Sequence, residues 1–453
     1  MIDEKWPQAR LIPTLPGSGV EAQERRAASV LLAVMQAVDE FGRALLKPLG
    51  APAGRIQTFI ETPVRLSDGR AIRPDGIIVV SRGARSWTAV VETKVGASAL
   101  EPDQIEAYLD LAREKGFDAV LSISNHYVTS SSDYPIEFDR RKKRKVDLHH
   151  WSWFEVLTEA VLQGKLKRIG DRDQAYILDE LVRFLEDERS GALPFSSMGP
   201  SWTAVKEGAR DQTLRKTDEH VAAVAARWDE LVRYVELKLT RDLGKDVRPV
   251  VAKREEDPLL RRTALIESLA TSGQLYAQLQ VPDAAGPLNV VADLRSRQIT
   301  VSTELAAPRE GRTKGRVSWL LRQLRDAPGD LAIGTRVPRS SSTYAALLGA
   351  ARENPEVLYP EPTKEVRGFV LKLSRNMGLK RDAGKGSFIE SVATTVEDFY
   401  EKVLQNLRPW KAVPPKLHKK EEVAEAEDLI EVPKELEPAV EEAREEKAEV
   451  ALP

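Results

Sequence analysis

The sequence predicts an α/β N-terminal domain with the element order α-β-β-β-α-β, followed by an α+β domain and an acidic, disordered tail. Three observations predict it. A long run of helical apolar spacing near the start gives way to short β-rich runs joined by turn signals. A helical segment, Glu101–Lys115, then separates the last of these runs from the apolar stretch Asp118–Ser124, the pattern of a crossover to a neighbouring strand. Past Pro414 periodicity is lost and Glu, Ala, Val and Lys dominate, a composition that buries too little apolar surface to fold.

Residues 1–18 carry Pro7, Pro13 and Pro16 and read as an irregular lead-in. A helix is expected from about Val20 to Leu46, because Ala27, Val30, Leu31, Val34, Met35, Val38, Phe41 and Leu45 recur at helical spacing. Arg55–Leu66 is a strand candidate, closed by Ser67-Asp68-Gly69-Arg70, where Asp-Gly accepts positive φ. Two further strands, Ala71–Ser81 and Trp87–Val95, are joined by a short polar link containing Gly83. Val146–Trp151 reads as a fifth strand, with Ser152 placed to cap a helix over Trp153–Leu162. Asp171–Glu188 is a further amphipathic helix, and the Pro- and Ser-rich stretch from Gly191 to Pro200 marks a boundary. The expected organisation is thus a domain over 1–192, a helical connector over 201–245 built on Thr217–Asp242, an α+β domain over 246–412 and a tail over 414–453. In the third part, strands are expected at Leu260–Ala270, Gln274–Val281, Leu288–Ser296, Gln298–Leu305, Leu331–Val337 and Val366–Leu373. Helices are expected at Gly315–Asp326, Tyr344–Glu353 and Ser387–Leu407.

Composition narrows the chemistry. There is no cysteine among the 453 residues, which excludes disulfides, thiolate metal sites and cysteine nucleophiles. The five histidines lack metal-binding spacing, no apolar run reaches the ~20 residues that span a bilayer, and the start lacks a signal-peptide core, so a cytoplasmic protein is expected. Glu421–Pro453 holds thirteen acids and three bases, −10, which leaves +8 on the rest of a chain of net charge −2. A mildly basic body is compatible with nucleic acid.

The functional signal lies between Arg73 and Tyr108. Glu92 and Lys94 stand two apart near the end of an otherwise apolar strand, so their side chains share a face while Thr93 takes the other. Antiparallel pairing with the preceding strand brings Asp75 beside Glu92. Carboxylates in mid-sheet cost free energy unless paired, and a divalent cation would pair them; oxygen donors suit Mg²⁺ or Mn²⁺.

Pro74-Asp75, sixteen intervening residues, then Glu92-Thr93-Lys94, resembles the PD-(D/E)xK nuclease superfamily, and Gln104-Ile105-Glu106-Ala107-Tyr108 resembles the QxxxY motif of its RecB and lambda-exonuclease branch. The resemblance spans about residues 15–165. It implies a restriction-endonuclease-like core and a Mg²⁺-dependent nuclease, with DNA the expected polymer and RNA left open. By the same resemblance Asp75, Glu92, Lys94, Gln104 and Tyr108 are the catalytic set. Asp75, Glu92, the Thr93 carbonyl and a glutamate near the start of the first helix are the metal set. Glu24 is favoured for that glutamate, with Glu21 one turn earlier. Lys94 would position or deprotonate the attacking water, or offset phosphate charge.

Six consecutive cations, Arg140, Arg141, Lys142, Lys143, Arg144 and Lys145, are candidates for phosphate contact, or else form a solvated hairpin. Arg309, Arg312, Lys314, Arg316, Arg322 and Arg325 form a second basic neighbourhood. Two other functions compete with the nuclease. One is a non-cleaving nucleic-acid-binding or interaction protein on a nuclease-like fold. The other is a structural cluster in which Lys94 neutralises Asp75 and Glu92 with no metal.

Overall fold

The structure is a computed structural model that describes residues 6–13, 18–128, 134–143, 145–167, 169–192, 194–337, 344–360 and 365–410. The expected acidic tail over 414–453 lies outside the described residues. Through Trp410 the chain forms one compact unit.

The first half opens with α1 (Val20–Ala37) and α2 (Asp39–Leu46), not one continuous helix. Val38 between them is extended, with φ −115° and ψ 94°. Gly42 explains the close turn: a Cβ there would stand 2.2 Å from the Met35 carbonyl oxygen, so only glycine lets α2 fold back on the end of α1. The strands β1 (Arg55–Ile60), β2 (Val64–Arg65), β3 (Ala71–Ile72), β4 (Gly76–Arg82) and β5 (Arg85–Thr93) follow. The expected strand Arg55–Leu66 is broken by Glu61, at φ 51°, and by Pro63. The expected strand Ala71–Ser81 is interrupted at Arg73–Asp75, because Pro74 has no N–H to give a ladder. β2 and β3 form the small hairpin that the Asp68-Gly69 turn predicts, with Gly69 at φ 86°. Helix α3 (Pro102–Lys115) crosses to β6 (Ala119–Ser124), and β7 (Asp147–Ser152) follows.

These elements make a five-stranded sheet in the order β1-β4-β5-β6-β7. β1, β4 and β5 are antiparallel; β5, β6 and β7 are parallel. The alternation of strand side chains builds two cores. Val91, Leu121 and Trp151 join Leu31, Leu32 and Met35 of α1 on one face. Val90, Val120 and Leu148 join Ile105, Leu109 and Ala112 of α3 on the other. The C-terminal ends of the parallel strands, where the polar residues of β5 and β6 fall, are left between these helices.

Ser152 caps α4 (Trp153–Val161) by accepting from the Glu155 N–H, and Asp171 caps α5 (Arg172–Glu186). Helices α6 (Trp202–Asp211) and α7 (Glu219–Leu243) come next. α7 carries a buried face of Val224, Trp228, Leu231 and Val235, and it packs on α4 before it and on α8 after it. The stretch 201–245 is therefore part of the core more than a connector. After β8 (Arg248–Pro249) comes α8 (Pro258–Ser272). This corrects the strand expected at Leu260–Ala270: Asp257 caps the helix by accepting from the Leu259 N–H, and Pro258 sits in its first turn, both helix-start signals.

A second sheet is wholly antiparallel, in the order β13-β12-β14-β11-β10-β9-β8. Its strands are β9 (Gln274–Gln280), β10 (Leu288–Asp293), β11 (Gln298–Ala306), β12 (Ala332–Arg336), β13 (Tyr344–Leu347) and β14 (Gly368–Asn376), with helices α9 (Thr313–Gln323), α10 (Leu348–Glu353) and α11 (Phe388–Lys402). The helix expected at Tyr344–Glu353 begins only at Leu348, because Tyr344–Leu347 is drawn out as the edge partner of β12. The helix expected at Ser387–Leu407 ends at Lys402. Arg316 leaves the second basic neighbourhood altogether. It is buried, and its guanidinium donates to Glu365, the Val366 carbonyl and the Arg309 carbonyl. No helix among the described residues is long and apolar enough to cross a membrane.

Candidate active site

Gly76 of β4 is registered against Val91 of β5, so Asp75 stands at the level of Glu92. Its Oδ2 accepts two hydrogen bonds from Thr93, one from the backbone N–H and one from the hydroxyl, both at 2.7 Å. Glu92 is buried, 1% exposed. Its Oε1 accepts from Lys94 Nζ at 2.6 Å and its Oε2 accepts from the Tyr108 hydroxyl at 2.7 Å. Gln104 Nε2 donates to the same hydroxyl at 3.0 Å, one helical turn away on α3. Helix α1 brings Glu24 to the other side of Lys94: its Oε2 lies 3.7 Å from Nζ and its Oε1 accepts from the Val95 N–H at 3.4 Å. Glu21 instead turns to solvent and pairs with Arg25. The structure thus brings Glu24, Asp75, Glu92, Lys94, Gln104 and Tyr108 into one cluster.

The backbone at Lys94 is fixed from two directions. Its N–H donates to the Ile123 carbonyl at 2.8 Å, and its carbonyl accepts from the Trp153 indole at 2.8 Å. Asn125 Nδ2 then ties the next turn by donating to the carbonyls of Gly96 and Gly191. Gly191, at the head of the stretch read as a boundary, is in this way part of the support of the site.

The electrostatics show an excess of negative charge. Burial, with the charge of Glu92 beside it, pushes the Asp75 carboxyl up to about 7. Burial also raises Glu92, against the opposing pull of Lys94. Burial works to lower the Lys94 ammonium, but Glu92, Glu24 and Asp75 outweigh it, and the group is held above its ordinary value. Burial and the Glu92 charge likewise hold the Tyr108 hydroxyl well above the ordinary value, so it remains a donor. Each shift favours binding positive charge to the cluster.

Among the described residues, no three His, Cys, Asp or Glu side chains stand ready as a metal cage. Both oxygens of Glu92 are engaged by Lys94 and Tyr108, and Oδ2 of Asp75 by Thr93.

A polar row continues across the sheet, and the motif does not announce it. Glu92, Ser122 and His150 are register partners on adjacent parallel strands, so they share a face. The His126 carbonyl can only accept, so His150 Nε2 donates to it at 3.1 Å, and Nδ1 accepts from Ser122 Oγ at 2.7 Å. Ser122 in turn accepts from the Tyr134 hydroxyl at 2.6 Å. Burial lowers His150 to about 3, so the ring is neutral. A serine in mid-strand opposite Glu92 was the available signal. His149 faces the other way from His150.

The basic run is not a row of free cations. Arg141 pairs with Asp139 at 3.0 Å, and Lys142 pairs with Glu106 at 2.9 Å and Asp110 at 3.3 Å on α3. Lys145 adopts a left-handed turn at φ 69°. Arg144 lies outside the described residues. Arg140 opens the short helical turn that ends at Lys143.

Compared with known families, with curated proteins and with solved structures, the chain has no match.

Proposed function

We propose that the chain is a divalent-cation-dependent nuclease with a restriction-endonuclease-like core, hydrolysing phosphodiester bonds, with DNA the expected polymer. The observation that carries this reading is the hydrogen-bonded chain Gln104–Tyr108–Glu92–Lys94, with Asp75 and Glu24 beside it. Asp75, Glu92, Thr93, Lys94, Gln104 and Tyr108, from the two motifs that resemble PD-(D/E)xK nucleases, take part in one cluster, although they come from a strand entry, a strand end and a helix.

Mg²⁺ or Mn²⁺ suits the chemistry of the cluster on two grounds, although Glu92 and Asp75 would have to exchange their present donors for the ion. The cluster's donors are hard oxygens, and its carboxylates outnumber the one ammonium; burial first, and the Glu92 charge second, push Asp75 up to about 7. Asp75, Glu92, Glu24 and the Thr93 carbonyl would hold the ion, and it would supply Lewis-acid stabilisation and a more acidic water. Lys94, held protonated by its neighbours, serves to orient water and to offset phosphate charge more readily than to act as a base. Tyr108 keeps Glu92 in one rotamer, and Gln104 keeps Tyr108 pointed at it.

The test is cleavage of linear duplex DNA, single-stranded DNA and RNA with Mg²⁺ or Mn²⁺, by wild type and Asp75→Ala. Metal-dependent cleavage lost in the variant is expected. Absence of both cleavage and metal-induced stabilisation in wild type would sink the reading. One contact favours the alternative of a structural ion pair, the 2.6 Å approach of Lys94 to Glu92. That alternative requires full function in Glu92→Gln.

A further inference from the structure

A cleft of about 1040 Å³ opens between His126, Tyr127, the stretch Tyr134–Phe138 and Lys143 on one side and the facing helices α7 and α8 on the other. The sheet residue in its lining is Leu148 of β7, two strands from the strand that carries Glu92. Tyr134, in its wall, donates to Ser122, the register partner of Glu92, and neighbouring strands lie only ~4.8 Å apart. His126, on the same wall, accepts from His150 at the end of the same polar row.

The charges in the cleft are unequally committed. Asp229 is paired with Arg261 at 3.2 Å and Glu230 with Arg227 at 2.7 Å, while Asp257 is used as the cap of α8. Glu137 is exposed to solvent. Arg262 and Lys143 have no carboxylate within ion-pair reach among the described residues, and the Arg262 Nε is buried without a hydrogen-bond partner. A buried guanidinium nitrogen left unpaired is costly unless a ligand completes it. Much of the remaining lining is apolar or aromatic and includes Tyr134, Phe138 and Leu259, the last 60% exposed although large and apolar.

We propose that this cleft binds a single strand of nucleic acid, with phosphates on Arg262 and Lys143 and unpaired bases against Tyr134, Phe138 and Leu259. Uncommitted cations beside aromatic and apolar faces are what single-stranded binding uses, since only unpaired bases expose their faces. The inference rests on the nuclease reading for the identity of its ligand, and it makes the preferred substrate a single strand or a frayed end.

The experiment is fluorescence anisotropy of labelled oligo(dT) and oligo(rU) in EDTA, with wild type, Arg262→Ala, Leu259→Glu and the control Arg210→Ala. Arg210 is exposed and pairs with Asp211 outside the cleft. Expected are tight binding by wild type, about tenfold weaker binding by each cleft variant, no change in the control, and duplex competing about tenfold less well. The tighter of the two oligonucleotides identifies the polymer. Leu259 is exposed, so its variant reports even where Arg262→Ala fails to fold. Failure of wild type to bind either oligonucleotide, binding as tight as wild type by both cleft variants, or equal competition by duplex would overturn the proposal. Hydrolysis of bis(p-nitrophenyl) phosphate by wild type with Mn²⁺ separates the two readings, because so small a diester needs no cleft. Hydrolysis without cleft-dependent binding leaves the nuclease and removes the cleft; cleft-dependent binding without hydrolysis does the reverse.

Discussion

The Tyr108 hydroxyl donates to Glu92 Oε2 at 2.7 Å, and that bond ties helix α3 to the strand that carries Glu92 and Lys94. Tyr108→Phe removes the bond and keeps the ring, which is buried at 2% exposure. Glu92 then has one buried oxygen without a donor, a loss of about 1–3 kcal/mol of stability. Metal-dependent cleavage should fall by about 10–100-fold, the usual cost of losing a group that orients a metal ligand. Gln104→Ala should act in the same direction and less strongly, since it touches only Tyr108. Cleavage rates on one labelled substrate, beside thermal melts, check both. Unchanged cleavage in Tyr108→Phe would remove Tyr108 from the site.

Asp75 predicts an unusual pH dependence. Its folded carboxyl is raised from 3.8 to about 7 by burial and by Glu92, so the folded state binds that proton more tightly than the unfolded one. The stability it contributes is fully present below about pH 4 and is lost as pH rises through about 7. Asp75→Asn should flatten this part of the stability curve. At pH 8 without metal it should be the more stable protein, by on the order of 1–3 kcal/mol. Saturating Mg²⁺ should stabilise wild type above pH 7 and leave Asp75→Asn nearly unmoved. Urea titrations at pH 5 and 8, with and without metal, measure all of this. A wild type whose stability rises between those pH values from this group would contradict it.

Lys94 and Glu92 separate a structural pair from a catalytic one. Lys94→Met leaves Glu92 buried and unpaired, at a cost of about 3–5 kcal/mol. The double variant Glu92→Gln with Lys94→Met removes both charges and should recover most of that stability. Neither variant should cleave. Recovery of cleavage along with stability would mean that the pair only holds the fold.

Much of the first sheet was legible because its signals are local. Asp68-Gly69 and Gly83 marked the hairpins, the alternation of apolar residues set the strands, and Ser152 announced its helix. The motif spacing placed Asp75, Glu92, Gln104 and Tyr108 together because each sits at a fixed place on a strand or helix. What was missed depends on packing or on competing local signals. The break at Val38 lies inside an unbroken apolar periodicity and is set by Gly42 pressing on Met35. α8 was misread because Leu260–Ala270 is apolar at spacings that fit either element, although Asp257-Pro258 spelled a helix start. Tyr344–Leu347 has helical composition, and only its pairing with β12 makes it a strand. The cleft beside Tyr134 joins residues more than a hundred positions apart and has no signature in the sequence.

Gly76 links the packing of α1 to the geometry of Asp75. A Cβ at this position would stand 2.3 Å from Leu32 Cδ1 of α1 and 3.3 Å from the Phe59 carbonyl oxygen of β1. Leu32 is fully buried, so its side chain has little room to withdraw. Gly76→Ala should therefore push α1 outward, at about 1–3 kcal/mol of overpacking. The displaced helix carries Glu24, and the altered residue adjoins Asp75, so the loss should extend beyond stability. We expect the metal concentration for half-maximal cleavage to rise by several-fold in Gly76→Ala at a temperature where it is fully folded. The smaller change Leu32→Ala in the same background makes room for the new methyl. If crowding is the cause, that second substitution restores metal affinity even though it costs core packing; if metal affinity stays low, Gly76 acts on the site through its backbone and not through α1.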